Sequence, residues 1–370
     1  MEFIDLKKQY LIYKTDIDQA INAILDQTNF VNGKEVELLE QKIADYVWTK
    51  YAVSCNSGTD ALKLALMSLQ FEPWSEIITT PFTFIATCEV IEELWYKTVF
   101  VDIDPKTFNI DTKKIEQAIT NKTKAIIPVH LFGEVANMDD LSAIAKKYKL
   151  AMIEDCAQAF WSECTHGKVW SIGDLWAHSF FPTKNLGWYG DGGLITTNDQ
   201  TKYEYIKAKK NHGQRVKYIH DDIGLSSRLD TIQASVLLAK FKHIDEEIAL
   251  RKEKFDYYLE KLQGIDWINF QENAYGTPVH NMFNMVCEKR DELQSYLKEK
   301  WIPTMIYYPL PMHLQKYFVD KYGYKVWDFP HAEKVSQQIL AIPFYPYMKR
   351  EDQDEVIQLI REFFGLIRFN

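Results

Sequence analysis

The 370-residue sequence is poor in cysteine and has no excess of basic residues. Its five cysteines are an odd number without close pairs, which argues against a disulfide framework or a metal site. The formal net charge of −9 argues against general binding to nucleic acid or a membrane surface, which needs excess lysine and arginine. The N-terminus, MEFIDLKKQY, lacks the apolar run of a signal peptide or membrane span. These absences predict a cytoplasmic globular protein.

Two glycine-rich signatures are also missing. Neither GxGxxG nor GxxxxGK[ST] occurs, which argues against a dinucleotide-dependent oxidoreductase and a P-loop kinase. Glycine itself is scarce, at 15 residues in 370. Any phosphate site in this chain must therefore be built in another way.

Short apolar, β-rich segments alternate with helix-like stretches through the first 200 residues. The predicted strands are residues 51–55, 76–79, 98–104, 124–131, 150–155, 177–181 and 192–197. This alternation predicts an α/β fold whose sheet is mostly parallel and covered by helices. From residue 227 to about 262 the pattern is long and helical, and strands and helices are mixed beyond it. We expect a large domain over residues 1–250, which includes an N-terminal helical segment, and a smaller α+β domain over residues 251–370.

Three segments at predicted strand ends carry the polar residues of interest. In SCNSGTDALKLAL, Ser57, Gly58 and Thr59 stand between a strand and a helix, either as a phosphate cradle or as an ordinary helix cap. In IEDCAQA, Glu154 and Asp155 end an apolar strand, where a carboxylate needs a cation or hydrogen-bond donors. Either acid could be purely structural.

The third segment, HSFFPTKNLGWYGDGG, places Lys184 on a tight loop after a strand. Taken alone, a lysine in such a loop is more often a solvated surface residue than a reactive one. Together, a lysine, a carboxylate and a phosphate cradle match what pyridoxal phosphate requires. In that interpretation, the lysine forms a Schiff base and the aspartate keeps the ring nitrogen protonated.

With these three segments in this order, the sequence resembles the DegT-like nucleotide-sugar aminotransferases, which have pyridoxal-phosphate fold type I. The similarity spans nearly the whole chain and includes GTDAL, PFTFIAT, IEDCAQAF, SFFPTKNLG with YGDGG, and SRLDTIQA. The resemblance implies that Lys184 is the Schiff-base lysine and Asp155 the pyridinium partner. It also implies that Gln158 contacts the ring hydroxyl, that Phe84 stacks on the ring, and that Gly58, Thr59 and Ser179 hold the phosphate.

The resemblance further implies a homodimer whose active sites are shared. The family usually has GxNxR where this chain has GLSSR, so Ser226 replaces an asparagine that reaches the phosphate of the neighbouring subunit. Arg228 is kept and would face the substrate across the interface.

The implied reaction is ping-pong transamination from glutamate to a nucleotide-linked sugar, for surface polysaccharide biosynthesis. The stretch 212–220 is most similar to enzymes that aminate carbon three of a UDP-linked 3-oxo-glucuronate. In that interpretation Tyr308 and His313 line the sugar pocket, although both could instead be packing residues. A dTDP-linked 3-keto- or 4-keto-6-deoxysugar substrate and a non-catalytic, ligand-binding or regulatory role are the alternatives.

The resemblance implies glycine at eight positions where this chain has tryptophan. They are Trp48, Trp74, Trp95, Trp161, Trp170, Trp176, Trp301 and Trp327. Many such positions are turns that need positive φ or close backbone approach, which tryptophan does not tolerate well. We hypothesise that the source organism reads UGA as glycine and that the translation shows tryptophan; genuine tryptophans accommodated by local rearrangement are the alternative.

Overall fold

The fold was determined from a computed structural model, which describes residues 1–164, 167–168 and 173–366. The helices in these ranges are α1 (Leu6–Gln27), α2 (Lys34–Tyr46), α3 (Gly58–Met67), α4 (Ala86–Glu93), α5 (Thr112–Ala118), α6 (Met138–Tyr148), α7 (Gln200–Lys209), α8 (Thr231–Phe241), α9 (Ile244–Leu262), α10 (Arg290–Glu299), α11 (Lys316–Tyr322), α12 (Pro330–Gln338) and α13 (Arg350–Phe363). Short 3-10 helices cover Leu131–Gly133 and Met312–Leu314. No helix in the described ranges has both the length and the apolar character to cross a bilayer.

The strands follow the same alternating order along the chain. They are β1 (Tyr51–Cys55), β2 (Glu76–Thr79), β3 (Lys97–Phe100), β4 (Thr123–Ile126), β5 (Ala151–Asp155), β6 (Glu163–Cys164), β7 (Gly167–Lys168), β8 (Leu175–Ser179), β9 (Gly193–Thr197), β10 (Gln214–Val216), β11 (Ile219–His220), β12 (Ile268–Phe270), β13 (Gly276–Thr277), β14 (Phe283–Cys287) and β15 (Ile339–Ile342). All seven strands predicted from the sequence are present.

Those seven strands form one central sheet in the order β1-β9-β8-β5-β4-β2-β3. Strands β8, β5, β4, β2 and β3 are parallel neighbours, whereas β9 runs antiparallel to both β1 and β8. The predicted α/β fold with a mostly parallel, mixed sheet is thereby confirmed. Because only β9 is reversed, the carboxyl ends of the other six strands meet at one edge, where open α/β sheets bind ligands.

Successive residues of the central strands pack into different cores on the two faces of the sheet. Ile78 and Met152 lie in the core covered by α2, α6 and α8. Their neighbours Ile77 and Ile153 lie in the core covered by α3, α4 and α7. Since both faces are buried, the strands read as continuous apolar runs, which is why the sequence predicts them well.

A second sheet, β12-β14-β15, forms the core of the C-terminal part together with α10 and α13. The predicted domain boundary at residue 250 falls inside α9, which continues without interruption. Near its start, Ile244 and Ile248 pack against the large core, and further along Tyr258 and Leu262 belong to the C-terminal core. This helix therefore connects the two parts, and the division at 250 stays a prediction.

Candidate active site

A cavity of about 600 Å³ opens at the carboxyl edge of the central sheet. Its volume lies within the range typical of small-molecule sites. Nine residues singled out in the sequence line it: Ser57, Gly58, Thr59, Phe84, Asp155, Gln158, Ser179, Lys184 and Tyr308. The chain thus brings together side chains from four strand ends and from the C-terminal part.

Lys184 lies on the tight loop that follows β8. Its backbone amide donates to the Phe181 carbonyl at 2.8 Å, and the chain turns again at Gly187, where a Cβ atom would collide with the Pro182 carbonyl. Burial lowers the pKa of the Lys184 amine to about 8, against the opposing effect of the Asp155 carboxylate. A larger share of this amine is therefore neutral and nucleophilic at pH 7 than of an ordinary lysine.

Asp155 is the last residue of β5 and is almost completely buried. Burial raises the pKa of this carboxyl group, while the Thr87 hydroxyl, the Ala157 amide and the Lys184 amine lower it. Thr87 Oγ1 donates to Asp155 Oδ2 at 2.8 Å, and the Ala157 amide donates to Oδ1 at 3.1 Å. The carboxylate is thus held in one orientation toward the cavity, where a further cationic donor would stabilise its charge.

The opposite part of the cavity floor is formed by the start of α3 and the end of β8. Ser57 caps the helix by accepting from the Asp60 amide at 3.0 Å. A Cβ atom on Gly58 would lie 2.7 Å from Ser179 Cβ, so the close approach of these two segments requires glycine. Helix amides and the hydroxyls of Thr59 and Ser179 consequently meet in one place, which is the arrangement that binds phosphate.

Gln158 connects the floor of the cavity to its outer wall. Its Oε1 atom accepts from the Phe132 amide at 2.6 Å, and its Nε2 atom lies 3.3 Å from the Tyr308 hydroxyl. Phe84 is more than half exposed and stands 6.2 Å from the Tyr308 ring, centroid to centroid. An exposed aromatic ring at the mouth of a polar cavity is suited to stacking on a planar ligand.

Glu154, the neighbour of Asp155, has a structural role. Its Oε2 atom lies 2.9 Å from His130 Nε2, and its Oε1 atom accepts from the Gly173 amide and from Trp176 Nε1. The Ala136 amide donates to His130 Nδ1, so both ring nitrogens are already bonded. Although His130, Glu154 and Cys156 lie close enough to bind a metal, the histidine has no lone pair left for one.

Three predicted residues do not line this cavity. Ser226 and Arg228 lie on a surface loop, where Arg228 donates to Ser226 Oγ at 2.8 Å and to Asn211 Oδ1 at 2.9 Å. His313 is fully buried, with Nε2 3.1 Å from Glu333 Oε1 and its ring against Phe329. The expectation that His313 lines the sugar pocket is therefore corrected: its ring packs in the core, where it pairs with a glutamate.

Thr87 is the main site residue that the sequence reasoning missed. It lies in the PFTFIAT segment, one turn after Phe84, and its hydroxyl also lies 3.0 Å from that of Thr83. A threonine near the start of an apolar helix gives no sign that it will meet an acid from another strand. Tyr307 and Met282, which also line the cavity, come from the C-terminal part and carried no recognisable signal.

Comparison with known proteins gives consistent matches over almost the whole chain. A sequence profile of the DegT/DnrJ/EryC1/StrS aminotransferase family matches residues 12–361. A pleiotropic regulatory protein of Geobacillus stearothermophilus is 43% identical over 98% of both chains. The UDP-2-acetamido-2-deoxy-3-oxo-D-glucuronate aminotransferase of Pseudomonas aeruginosa is 40% identical over 94% of this chain and 96% of its own.

Solved structures agree with the sequence comparison. DesV of S. venezuelae, crystallised with a ketimine intermediate, is 35% identical and superposes with a TM-score of 0.96 over 99% of both chains. NtdA of Bacillus subtilis, with bound cofactor PMP, is 31% identical with a TM-score of 0.89, over 95% of this chain and 82% of its own.

Proposed function

The chain belongs to the DegT/DnrJ/EryC1/StrS aminotransferase family, and on that premise we propose that it uses pyridoxal phosphate to transfer an amino group from glutamate to a keto sugar linked to a nucleotide. The observation that carries the proposal is that Asp155, at the end of β5, and Lys184, on the loop after the neighbouring strand β8, line one cavity that also contains a phosphate cradle.

The residues of the cavity fit this cofactor. The Gly58–Ser179 approach, which a Cβ atom would close, leaves backbone amides and hydroxyls for a phosphate group. Asp155 would pair with a ring nitrogen, Gln158 with the ring hydroxyl, and Phe84 would stack on the ring. Bound pyridoxal phosphate supplies an electron-accepting ring that stabilises negative charge on the carbon next to the amino nitrogen.

Lys184 has two tasks in this scheme. Its amine would hold the cofactor covalently, which requires the neutral form that a pKa of about 8 makes accessible. Once a substrate amine has displaced it, the same side chain would accept and return the proton that moves during transfer. A pKa near the working pH favours both directions of that proton transfer.

Asp155 would keep the ring nitrogen of the cofactor protonated. Its buried carboxylate gains little from solvent, so a cationic N–H is the partner that stabilises its charge best. Thr87 and the Ala157 amide each occupy one lone pair, one on either carboxylate oxygen, and thereby fix the orientation of the group and of its remaining lone pairs. Thr87 is a positioning residue in this scheme because it acts through Asp155.

For the sugar substrate, we propose a UDP-linked sugar with a keto group at carbon three. The identity to the Pseudomonas aeruginosa aminotransferase supports this choice over a dTDP-linked keto-deoxysugar. Tyr307, Tyr308 and Met282 form the wall that would contact the sugar.

Residues 207–217 form a basic stretch in which Lys209 and Lys210 are buried and paired with acids, whereas Arg215 and Lys217 are exposed. Arg228 and the exposed cations of this stretch would reach across from the neighbouring subunit and bind the diphosphate and a carboxylate group of the sugar.

A homodimer would complete this site. The β10–β11 hairpin and its flanks expose four apolar side chains by more than half: Val216, Tyr218, Ile219 and Ile223. Such a patch on a protruding hairpin is typical of a protein interface. Ser226 and Arg228 follow this hairpin and lie outside the cavity of their own chain, so an interface here would allow them to reach a second one. A cytoplasmic location stays a prediction.

The cofactor assignment is tested by trapping. Borohydride reduction of the protein with pyridoxal phosphate, followed by peptide mass spectrometry, should place the label on Lys184. Lys184→Met should lose the label and the cofactor absorbance band. Lys240→Met is the matched control, because burial also lowers the pKa of Lys240 to about 8, yet this residue does not line the cavity. A label on another lysine in the wild-type protein would refute the assignment.

The reaction is tested in two half-steps. Glutamate should convert the absorbance band of the loaded protein to that of the amine form, and a UDP-linked 3-keto sugar should restore it. A panel with UDP- and dTDP-linked 3-keto and 4-keto sugars identifies the acceptor. One relative is named as a regulatory protein, so a non-catalytic role is the second candidate. A stable cofactor band that no amino donor changes would support that candidate instead.

A further inference from the structure

Six tryptophans have backbone conformations that suit glycine. Trp48, Trp74, Trp95, Trp161, Trp301 and Trp327 have φ values between +59° and +88°. They are six of the fifteen non-glycine residues with positive φ in the described chain, although tryptophan supplies only 10 of 370 residues. In this region the Cβ atom crowds the following carbonyl oxygen, and a bulky side chain is a genuine outlier.

Trp48 lies at the end of α2, in a motif that normally uses glycine. The Trp48 amide donates to the Asp45 carbonyl at 3.4 Å, and the Thr49 amide donates back to the Ala44 carbonyl at 3.0 Å. These two bonds define the Schellman ending of a helix, in which the residue after the C-cap is left-handed and is usually glycine.

The same pair of bonds closes four other helices. At the ends of α4 and α10, the left-handed position is occupied by Trp95 and Trp301. At the end of α13 it is occupied by Gly365, with φ of +72°. At the end of α6 it is occupied by Lys149, with φ of +54°. The described chain therefore contains five copies of one motif, of which three have tryptophan, one has glycine and one has lysine at the left-handed position.

The other three tryptophans occupy the third position of tight turns. In the turn from Glu72 to Ser75, the Ser75 amide donates to the Glu72 carbonyl at 3.1 Å, and Pro73 precedes Trp74. Proline fixes a negative φ and Trp74 has φ of +66°, which is the type II turn that requires glycine at this position. Equivalent bonds link residues 159–162 around Trp161 and residues 325–328 around Trp327.

Side-chain packing does not explain these conformations. Five of the six rings are more than half exposed, so burial contributes little to hold them; the sixth, Trp161, is buried. Its ring centroid lies 3.7 Å from that of Phe160, closer than the 4.5–7 Å at which aromatic rings pack. A shared surface function is also unsupported, because the only tryptophan rings in contact among the six are Trp74 and Trp95.

The other two of the eight tryptophans in the sequence hypothesis, Trp170 and Trp176, are not among the left-handed residues of the described chain. Trp176 lies in the extended strand β8, is fully buried and donates to Glu154. Its backbone does not require glycine. Trp170 lies outside the described residues. Among those of the eight that the structure describes, only the six left-handed positions have a backbone conformation that calls for glycine.

We propose that these six positions are glycine in the protein that the source organism makes. Reading of one codon, UGA, as glycine explains why sites in unrelated turns and helix ends all show the same residue in the translated sequence. The proposal does not depend on the enzymatic function. The identity of residue 161 nevertheless matters for the enzymatic function, because the turn of Trp161 directly follows the Asp155–Gln158 segment of the active site.

Peptide mass spectrometry of the protein isolated from the source organism decides the assignment. Peptides that cover the six positions should have the masses expected for glycine. Peptides with tryptophan at these positions would overturn the proposal, whether or not the protein is active.

A recombinant comparison tests the physical reason. A variant with glycine at Trp48, Trp74, Trp95, Trp301 and Trp327 should melt about 5–10 °C above the chain as translated, because relief of the left-handed penalty exceeds the added entropy of glycine in the unfolded state. Trp267→Gly is the control, since Trp267 is also half exposed but has a negative φ; it should not raise the melting temperature. A five-glycine variant that melts at or below the translated chain would overturn the proposal. If the five-glycine variant folds and the translated chain does not, the proposal is supported. If neither chain folds, the peptide masses of the native protein decide.

Discussion

Replacement of Lys184 by methionine should stabilise the cofactor-free protein, and the gain should shrink as the pH rises. The pKa of this amine falls from 10.5 to about 8 in the folded chain because burial penalises the charged form. Between pH 8 and 10.5 the unfolded chain therefore binds more protons than the folded one, so stability rises with pH in this window. Below pH 8 the full cost of burying the charge is present, and above pH 10.5 it is gone.

The size of the effect follows from the two pKa values. At pH 7 the buried amine costs about 3 kcal/mol, and at pH 9.5 the cost falls to about 1.4 kcal/mol. Differences in packing between lysine and methionine do not change with pH. The stability difference between Lys184→Met and the wild-type protein should therefore decrease by about 2 kcal/mol between these two pH values.

Urea unfolding of the cofactor-free proteins at pH 7, 8 and 9.5 measures this difference. Lys240→Met should show the same trend, because burial lowers the pKa of Lys240 to about 8 as well. It should nevertheless keep the cofactor band that Lys184→Met loses. If the stability difference for Lys184→Met is the same at pH 7 and pH 9.5, the amine has an ordinary pKa and the reasoning about its reactivity is wrong.

Four further substitutions are predicted. Thr87→Val should weaken cofactor binding about 5- to 10-fold in equilibrium titration, because the Asp155 carboxylate loses a hydrogen bond, whereas Thr87→Ser should bind normally. His313→Gln should lower the melting temperature but leave the KM for the sugar unchanged, because His313 is buried beside Glu333. A rise in this KM without loss of stability would show that His313 contacts the sugar after all. Burial raises the pKa of Glu134 to about 8, so Glu134→Gln should stabilise the protein against urea at pH 8 and progressively less toward pH 5. Arg228→Met should raise the KM for the nucleotide sugar by about tenfold or more with an unchanged glutamate half-reaction; loss of both half-reactions would contradict its placement at the sugar phosphate.

The central fold could be predicted because its strands are buried on both faces. Apolar runs such as residues 76–79 and 150–155 have no polar face, and helical spacing separates them, so strand number and direction follow from local pattern. The order of the strands does not, because β9 inserts between β1 and β8 through contacts distant in sequence. The domain boundary was equally hard to place, since α9 carries apolar contacts for two cores along one uninterrupted helix.

The cofactor side of the site could be predicted for a related reason. Asp155 ends a strand, and Gly58 and Lys184 follow strand ends by a few residues. The carboxyl ends of parallel strands meet at one edge, which brings the three together. Thr87 could not be found, because its role depends on where α4 begins relative to β5. His313 was misplaced because a motif gives the identity of a residue and not the direction of its side chain, which here points to Glu333.

The cofactor and the sugar are assigned to different walls of the cavity. The residues assigned to the cofactor, from Gly58 to Lys184, all come from the edge of the seven-stranded sheet, whereas Tyr307, Tyr308 and Met282 come from the C-terminal part. The bond between Gln158 and Tyr308 is the one described side-chain hydrogen bond between these two sets. Because the sheet edge is fixed by two cores, the cofactor site is preorganised, and substitutions there should act on cofactor affinity. Substitutions in the C-terminal wall should instead change the KM for the sugar, so Tyr308→Phe, which removes the connecting hydroxyl, should alter sugar binding while the cofactor band remains.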